Sequence, residues 1–304
     1  MSRPPAPLPP DFAGRPFSVA EAARAGVSAR RTRAKDLDAP FFGVRVPARP
    51  VELVSACQAR ATRLPAVAVF SHITAARLHH LPLPPHLAGA RVLHVSVPVG
   101  RRAPEGRRTR GHQIELKRED FDDRAGVLCT TPERTFCDLA TMLSLPQLVA
   151  VGDHLIRHRG GTLTLDELTA AVHSHPGRRG RRNLRRALEL LDERSESPKE
   201  SELRVLIVEA GLPRPVCNAS VFDSSQGFVA RVDLSYPDRR IAIEYEGDHH
   251  REKAQWRADL ARRRRLEAQG WLYLSVTQDD LNDSRAFLTD LRAALDTRRA
   301  EVRR

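Results

Sequence analysis

The residues best placed to do chemistry are carboxylates gathered around one strand. Segment 241–246 alternates strictly, with Ile241, Ile243 and Tyr245 on one face and Ala242, Glu244 and Glu246 on the other. Asp233 lies on the strand before it. Pairing Tyr236 with Ile241 across the turn at 237–240 sets Asp233 directly opposite Glu244. Like charges opposite one another in a sheet are unfavourable. At ~4 Å and an effective dielectric of ~20 the repulsion is about 4 kcal/mol. A bound divalent cation reverses the sign of that cost, and oxygen ligands suit Mg2+ or Mn2+. The alternative is that these carboxylates face water beside the arginines at 239–240 and 262–265.

Positioning them takes a small set of elements. A helix begins at Pro198, with Leu203, Leu206, Ile207 and Ala210 at helical spacing, Glu202 in its first turn and Gly211 at its stop. Strands are expected over 216–221, 228–236 and 241–246. A helix over 252–269 ends at Gly270, a strand follows over 271–277, and a last amphipathic helix runs through Phe287, Leu288, Leu291 and Leu295. The order is α-β-β-β-α-β-α, and the expected class is α/β.

Segment 231–250, RVDLSYPDRRIAIEYEGDHH, resembles the core of the PD-(D/E)XK nuclease superfamily. More closely, it is similar to domains related to the very-short-patch mismatch-repair endonucleases. The Glu202 helix, the Asp233 strand, the Glu-x-Glu-Gly-x-His-His strand end, the helix with Asp259 and Arg263, and the Gly270-Trp271 strand fall in that order over about 199–295. The resemblance implies a restriction-endonuclease-like core and DNA phosphodiester hydrolysis with Mg2+ or Mn2+. It makes Asp233 and Glu244 the metal carboxylates, with Tyr245 lending its carbonyl. Glu202 becomes the helix carboxylate holding the attacking water, and His249 or His250 the general base. Glu246 stands where many members have lysine, and Lys253, one turn into the next helix, is the candidate replacement charge. Arg262 and Arg263 are candidates for the DNA backbone, although four successive arginines point around a whole helix turn. Surface histidines without a metal are the alternative for His249 and His250.

The N-terminal part reads differently. Residues 1–16 are Pro-rich and expected as a disordered tail. Ser18 can cap a helix over 19–25 that Gly26 ends. Ser28 can cap a second helix to about Leu37 that carries Arg30, Arg31, Arg33 and Lys35, and 41–46 reads as a strand. Helix, turn, basic helix and strand is the order of a winged helix-turn-helix at 17–48, whose arginines would meet DNA phosphates or guanine edges. Two ordinary helices with a solvated basic face are the alternative. Residues 49–176 alternate helices and strands, with an Arg-rich loop over 100–111 and a Thr131-Pro132 helix start. His79-His80 is read as a helix-end pair without metal. An Arg-rich helix and linker occupy 177–198, ahead of the 199–304 domain. The stretch 17–190 resembles the abortive-infection type IV antitoxin regulators, which implies sequence-specific DNA binding.

Charge supports this division. The chain of 304 residues carries 50 Lys+Arg and 38 Asp+Glu, a formal net charge of +12. Residues 199–304 hold 19 basic and 18 acidic residues, so nearly all the excess lies before them. A basic excess points to an anionic partner such as DNA, although an Arg-rich, Lys-poor composition also follows from a GC-rich genome. No apolar run approaches the ~20 residues of a membrane span, and no signal peptide is visible. The four cysteines lie far apart, which favours a reducing cytoplasm without disulfides. Two functions emerge: a DNA endonuclease of defence or repair, and a regulator or antitoxin whose nuclease-like domain is silent and binds a toxin or a second copy of the chain.

Overall fold

A computed structural model describes residues 5–47, 52–247 and 253–302. The chain is mixed α/β and divides into two units, one of residues 1–142 and 173–180, the other of 143–172 and 181–304. Among the described residues no helix is long and apolar enough to cross a membrane.

The first unit contains β1 (Phe17–Ser18), α1 (Val19–Arg24), β2 (Val44–Arg45), α2 (Leu53–Ala61), β3 (Val69–Phe70), α3 (His72–Leu78), α4 (Pro85–Ala88), β4 (Leu93–Pro98), β5 (Thr109–Ile114), β6 (Phe121–Arg124), β7 (Val127–Thr130) and α5 (Pro132–Leu139). Five strands form a sheet in the order β5-β4-β3-β7-β6, and β1 pairs with β2 separately. Strand β4 is buried on both faces from Leu93 to Val97, and its valines pack with Phe70, Leu78 and Cys129. Two expected helix starts are built as read. Ser18 accepts from the Glu21 N–H in a reciprocal capping box, and Thr131 accepts from the Arg134 N–H with Pro132 behind it.

Several expectations for this unit fail. The stretch expected as a tail is anchored at one point, where Phe12 is buried against Phe17 and Ala22 with Leu8 beside them. The basic second helix is a single 3₁₀ turn, Arg31–Arg33. Between Val27 and Leu37 the segment offers no larger apolar side chain than alanine, so a helix there has no face to bury. Local bonds also compete with it: the Thr32 hydroxyl donates to the Ala29 carbonyl, and Arg31 reaches Asp36. The strand expected over 41–46 shortens to two residues. The Arg-rich loop ends earlier than expected, because β5 begins at Thr109.

The second unit contains α6 (Leu145–Ile156), most of α7 (Leu165–Ser174), α8 (Arg181–Leu190), α9 (Pro198–Glu209), β8 (Val216–Phe222), β9 (Phe228–Tyr236), β10 (Ile241–Tyr245), α10 (Lys253–Ala268), β11 (Leu272–Val276), α11 (Gln278–Asn282) and α12 (Arg285–Val302). From α9 onward this is the expected order, with α11 added. The sheet runs β11-β10-β9-β8, antiparallel except for the β10–β11 pair. Its two faces have separate cores. Ile241, Ile243 and Leu234 pack with Leu203 and Ile207 of α9 and Leu291 of α12. Ala242 packs with Leu266 of α10 and Tyr273. That segregation is the alternation read in 241–246.

The unit extends further back than the expected start at 199. Arg204 of α9 is fully buried, and its Nη2 donates to Asp153 of α6 at 2.5 Å. Asp153 also accepts from Ser201 Oγ and the Asp192 N–H. A buried guanidinium needs a partner, and the partner lies about fifty positions upstream, so α6 and α9 pack as one body.

Candidate functional site

The hairpin β9–β10 has the register expected: Ile241 pairs with Tyr236, Ala242 with Ser235 and Ile243 with Leu234. One step further lie Asp233 and Glu244. The backbone ladder is replaced there by a side chain, because the Tyr245 N–H donates to Asp233 Oδ2 at 2.9 Å.

Glu244 is 4% exposed. Arg262 Nη2 of α10 donates to its Oε2 at 2.6 Å, and the Tyr273 hydroxyl donates to the same oxygen at 3.3 Å. Its other oxygen, Oε1, is buried with no hydrogen-bond partner among the described residues. Burial pushes the Glu244 carboxyl up to about 7, Arg262 opposes that, and Asp233 adds to it. Burial likewise raises Asp233 to about 6, against the Tyr245 N–H, and the Glu200 charge raises it further. A buried, half-satisfied carboxylate calls for a proton or a cation. The donors here are carboxylate oxygens, a hard set of the kind that suits Mg2+ or Mn2+.

Of the two glutamates at the start of α9, Glu200 is the one whose charge acts on Asp233. Glu200 is buried, and its Oε2 accepts from Asn218 Nδ2 at 2.6 Å and from the Glu196 N–H at 2.9 Å. Glu202 bonds Lys199 at 2.7 Å. The two glutamates are about 200° apart around the helix, so they cannot share a face. A signal was present. Carried back by helical spacing, the stripe of Leu203 and Ile207 reaches Glu200. The Ser197-x-x-Glu200 pattern hides it, because that spacing reads as a cap, and Ser197 Oγ does accept from the Glu200 N–H.

The remaining expected residues are spread around the pair. The Glu246 N–H donates to the Val276 carbonyl at 2.7 Å, continuing the parallel β10–β11 pairing. Tyr245 donates its hydroxyl to Gln278 Oε1 at 3.2 Å. Arg262 is turned inward to Glu244 rather than outward to a phosphate backbone. Arg263 pairs with Glu267 at 2.8 Å and lies over the Tyr273 ring at 5.1 Å. His249 and His250 lie outside the described residues, and so does the side chain of Lys253.

In the first unit Arg30 and Arg33 are exposed. Arg31 is not available in the same way: its Nη1 and Nη2 both bond the Asp36 carboxylate, at 3.0 and 2.7 Å. The concentrated positive surface is elsewhere. Arg33, Arg45, Arg60, Arg63, Arg107 and Arg108 line a groove of about 1160 Å³ that holds two acidic residues, Asp38 and Glu105. Phe42 stands in it 94% exposed, with the Arg63 guanidinium 5.9 Å from its ring centre. Sequence reading missed this groove because its arginines come from segments far apart along the chain. All four cysteines are free and buried.

No family model matches the chain, and no solved structure matches it. It is similar to two uncharacterized proteins of Mycobacterium tuberculosis, from strains CDC 1551 and H37Rv, each 33% identical over 158 residues. The similarity covers 52% of this chain and 57% of those relatives, so the chain spans little more than half of their length.

Proposed function

We propose that the chain hydrolyses phosphodiester bonds in DNA, with a divalent cation, Mg2+ or Mn2+, held by Asp233, Glu244 and the Tyr245 carbonyl. The observation that carries this reading is the Asp233/Glu244 pair at the end of the β9–β10 hairpin, with Glu244 buried and its Oε1 unpartnered among the described residues. The order α9-β8-β9-β10-α10-β11 supports a restriction-endonuclease-like core. Bound there, the cation supplies charge for the phosphate oxygens and acidifies the attacking water. The chain's own residues do the rest. The Tyr245 N–H fixes the Asp233 carboxylate, Arg262 and Tyr273 fix Glu244 Oε2, and Glu200, held by Asn218, completes the acidic wall. The arginine groove of the first unit, with the exposed Phe42, supports DNA binding through phosphates and base stacking.

Supercoiled plasmid incubated with Mg2+ or Mn2+ tests it. The wild-type protein nicks or linearises the plasmid, and Asp233→Ala does not. Cleavage that survives in Asp233→Ala removes these residues from the reaction.

One observation favours a second reading. The Arg262–Glu244 ion pair at 2.6 Å already compensates much of the Glu244 charge without a metal. On that reading the domain is catalytically silent, and the chain is a DNA-binding regulator or antitoxin whose partner is a toxin or a second copy. Intact DNA binding with no cleavage of any DNA or RNA selects it.

A further inference from the structure

The first unit brings together three histidines that neither reading of the function uses. His72 opens α3, His94 lies on β4 and His112 on β5. One ligand nitrogen from each lies within 4.8 Å of the other two. His94 Nδ1 and His112 Nε2 are 3.0 Å apart. The sheet causes this. Strands β4 and β5 are parallel, with Ser96 paired to His112, and the Ser71 N–H donates to the His94 carbonyl at the start of α3.

We propose that His72, His94 and His112 bind a divalent transition-metal ion, in the first instance Zn2+. Three imidazole nitrogens suit Zn2+ and exclude the Mg2+ assigned to the carboxylates of the second unit. Zn–N bonds of about 2.0–2.1 Å put tetrahedral ligand nitrogens roughly 3.3 Å apart. The contacts of 3.0 Å and under 4.8 Å bracket that spacing. The His72 and His112 rings stack with centres 3.9 Å apart and planes 16° apart. A ring lone pair lies in its plane, so binding requires these two rings to fan apart.

The surroundings are those of a built site. His72 and His94 are buried. His72 Nδ1 contacts Ser71 Oγ at 2.9 Å, and Ser71 Oγ contacts Ser96 Oγ at 2.6 Å. Such outer contacts fix ring orientation in metal sites. The His72 backbone is held at φ 50°, a left-handed conformation that costs a non-glycine residue on the order of 1 kcal/mol or more. The opposing charges are Arg110 and Arg134. Arg134 is already paired with Asp120 at 2.6 Å and Asp138 at 3.0 Å, so Arg110 is the main uncompensated cost. Three nitrogens leave the fourth tetrahedral position to water or another ligand.

The test uses the untagged full-length protein, stripped of metal and titrated with Co2+ and then Zn2+. One equivalent of Co2+ is expected to give the visible d–d bands of a tetrahedral site, and one equivalent of Zn2+ to abolish them. His94→Ala and His112→Ala should lose the bands while keeping a folded circular-dichroism spectrum, and Asp233→Ala should retain them. Absence of stoichiometric Co2+ and Zn2+ binding to the wild-type protein overturns the proposal, whether or not the variants fold. Undiminished bands in the folded His94→Ala/His112→Ala double variant overturn it as well.

Discussion

Arg262 Nη2 and Glu244 Oε2 are 2.6 Å apart, while the second oxygen of the same buried carboxylate has no partner among the described residues. The guanidinium side chain is about one third exposed, so water screens part of its charge. Removing it leaves Glu244 with the Tyr273 hydroxyl as its remaining donor. Arg262→Ala is therefore expected to cost the metal-free protein about 1–2 kcal/mol, and Mn2+ should recover more stability in the variant than in the wild type. Thermal unfolding of both proteins, with and without Mn2+, checks this. Equal metal shifts in the two would separate Arg262 from the cation site.

Glu244 also sets a pH dependence. Its folded value of about 7 lies above the ordinary 4.5. Its contribution to stability is therefore fully present below about pH 4.5 and is lost as the pH rises through 7. In chelator, the wild type should lose about 2–2.5 kcal/mol relative to Glu244→Gln between pH 5 and pH 8. Urea unfolding of both proteins at the two pH values measures the difference. Parallel curves would show that Glu244 titrates normally.

The buried pair Arg204–Asp153 is structural. The two residues are 0% and 1% exposed. Asp153→Ala removes one acceptor each from a buried guanidinium, the Ser201 hydroxyl and the Asp192 N–H, and leaves Arg204 only the Leu190 carbonyl. A loss of about 3–5 kcal/mol is expected, read from the denaturation midpoint. A cost below 1 kcal/mol would mean that water enters the site and replaces the carboxylate.

The arginine groove makes a prediction about salt. Arg63→Ala and Arg108→Ala should each weaken DNA binding and lower the slope of log K against log salt by about 1 for every phosphate left without its arginine. Arg31→Ala removes the Asp36 pair and should change stability more than the slope. Titrations at several salt concentrations compare the three. A slope that falls for Arg31→Ala but not for Arg63→Ala or Arg108→Ala would return the DNA contact to the 3₁₀ turn.

What the sequence determined by itself is local. The turn at 237–240 and the alternation of 241–246 fixed the hairpin register, because pairing across a tight turn leaves few ways to bury Ile241 and Ile243 together. Ser18 and Thr131 fixed two helix starts, because a cap needs only a side-chain oxygen and the next N–H groups. The tertiary structure decided where distant groups meet. Helix α9 places Glu200, not Glu202, against the sheet because its buried stripe sets its rotation. The α10 residue Arg262 turns inward because Leu266, four residues on, seats that helix on Ala242. The basic segment at 28–37 failed as a helix for lack of an apolar face, whatever its cap offered. His72, His94 and His112 meet only because β5, β4 and β3 are neighbours in the sheet. Strand order is a property of the whole core, and no spacing along the chain encodes it.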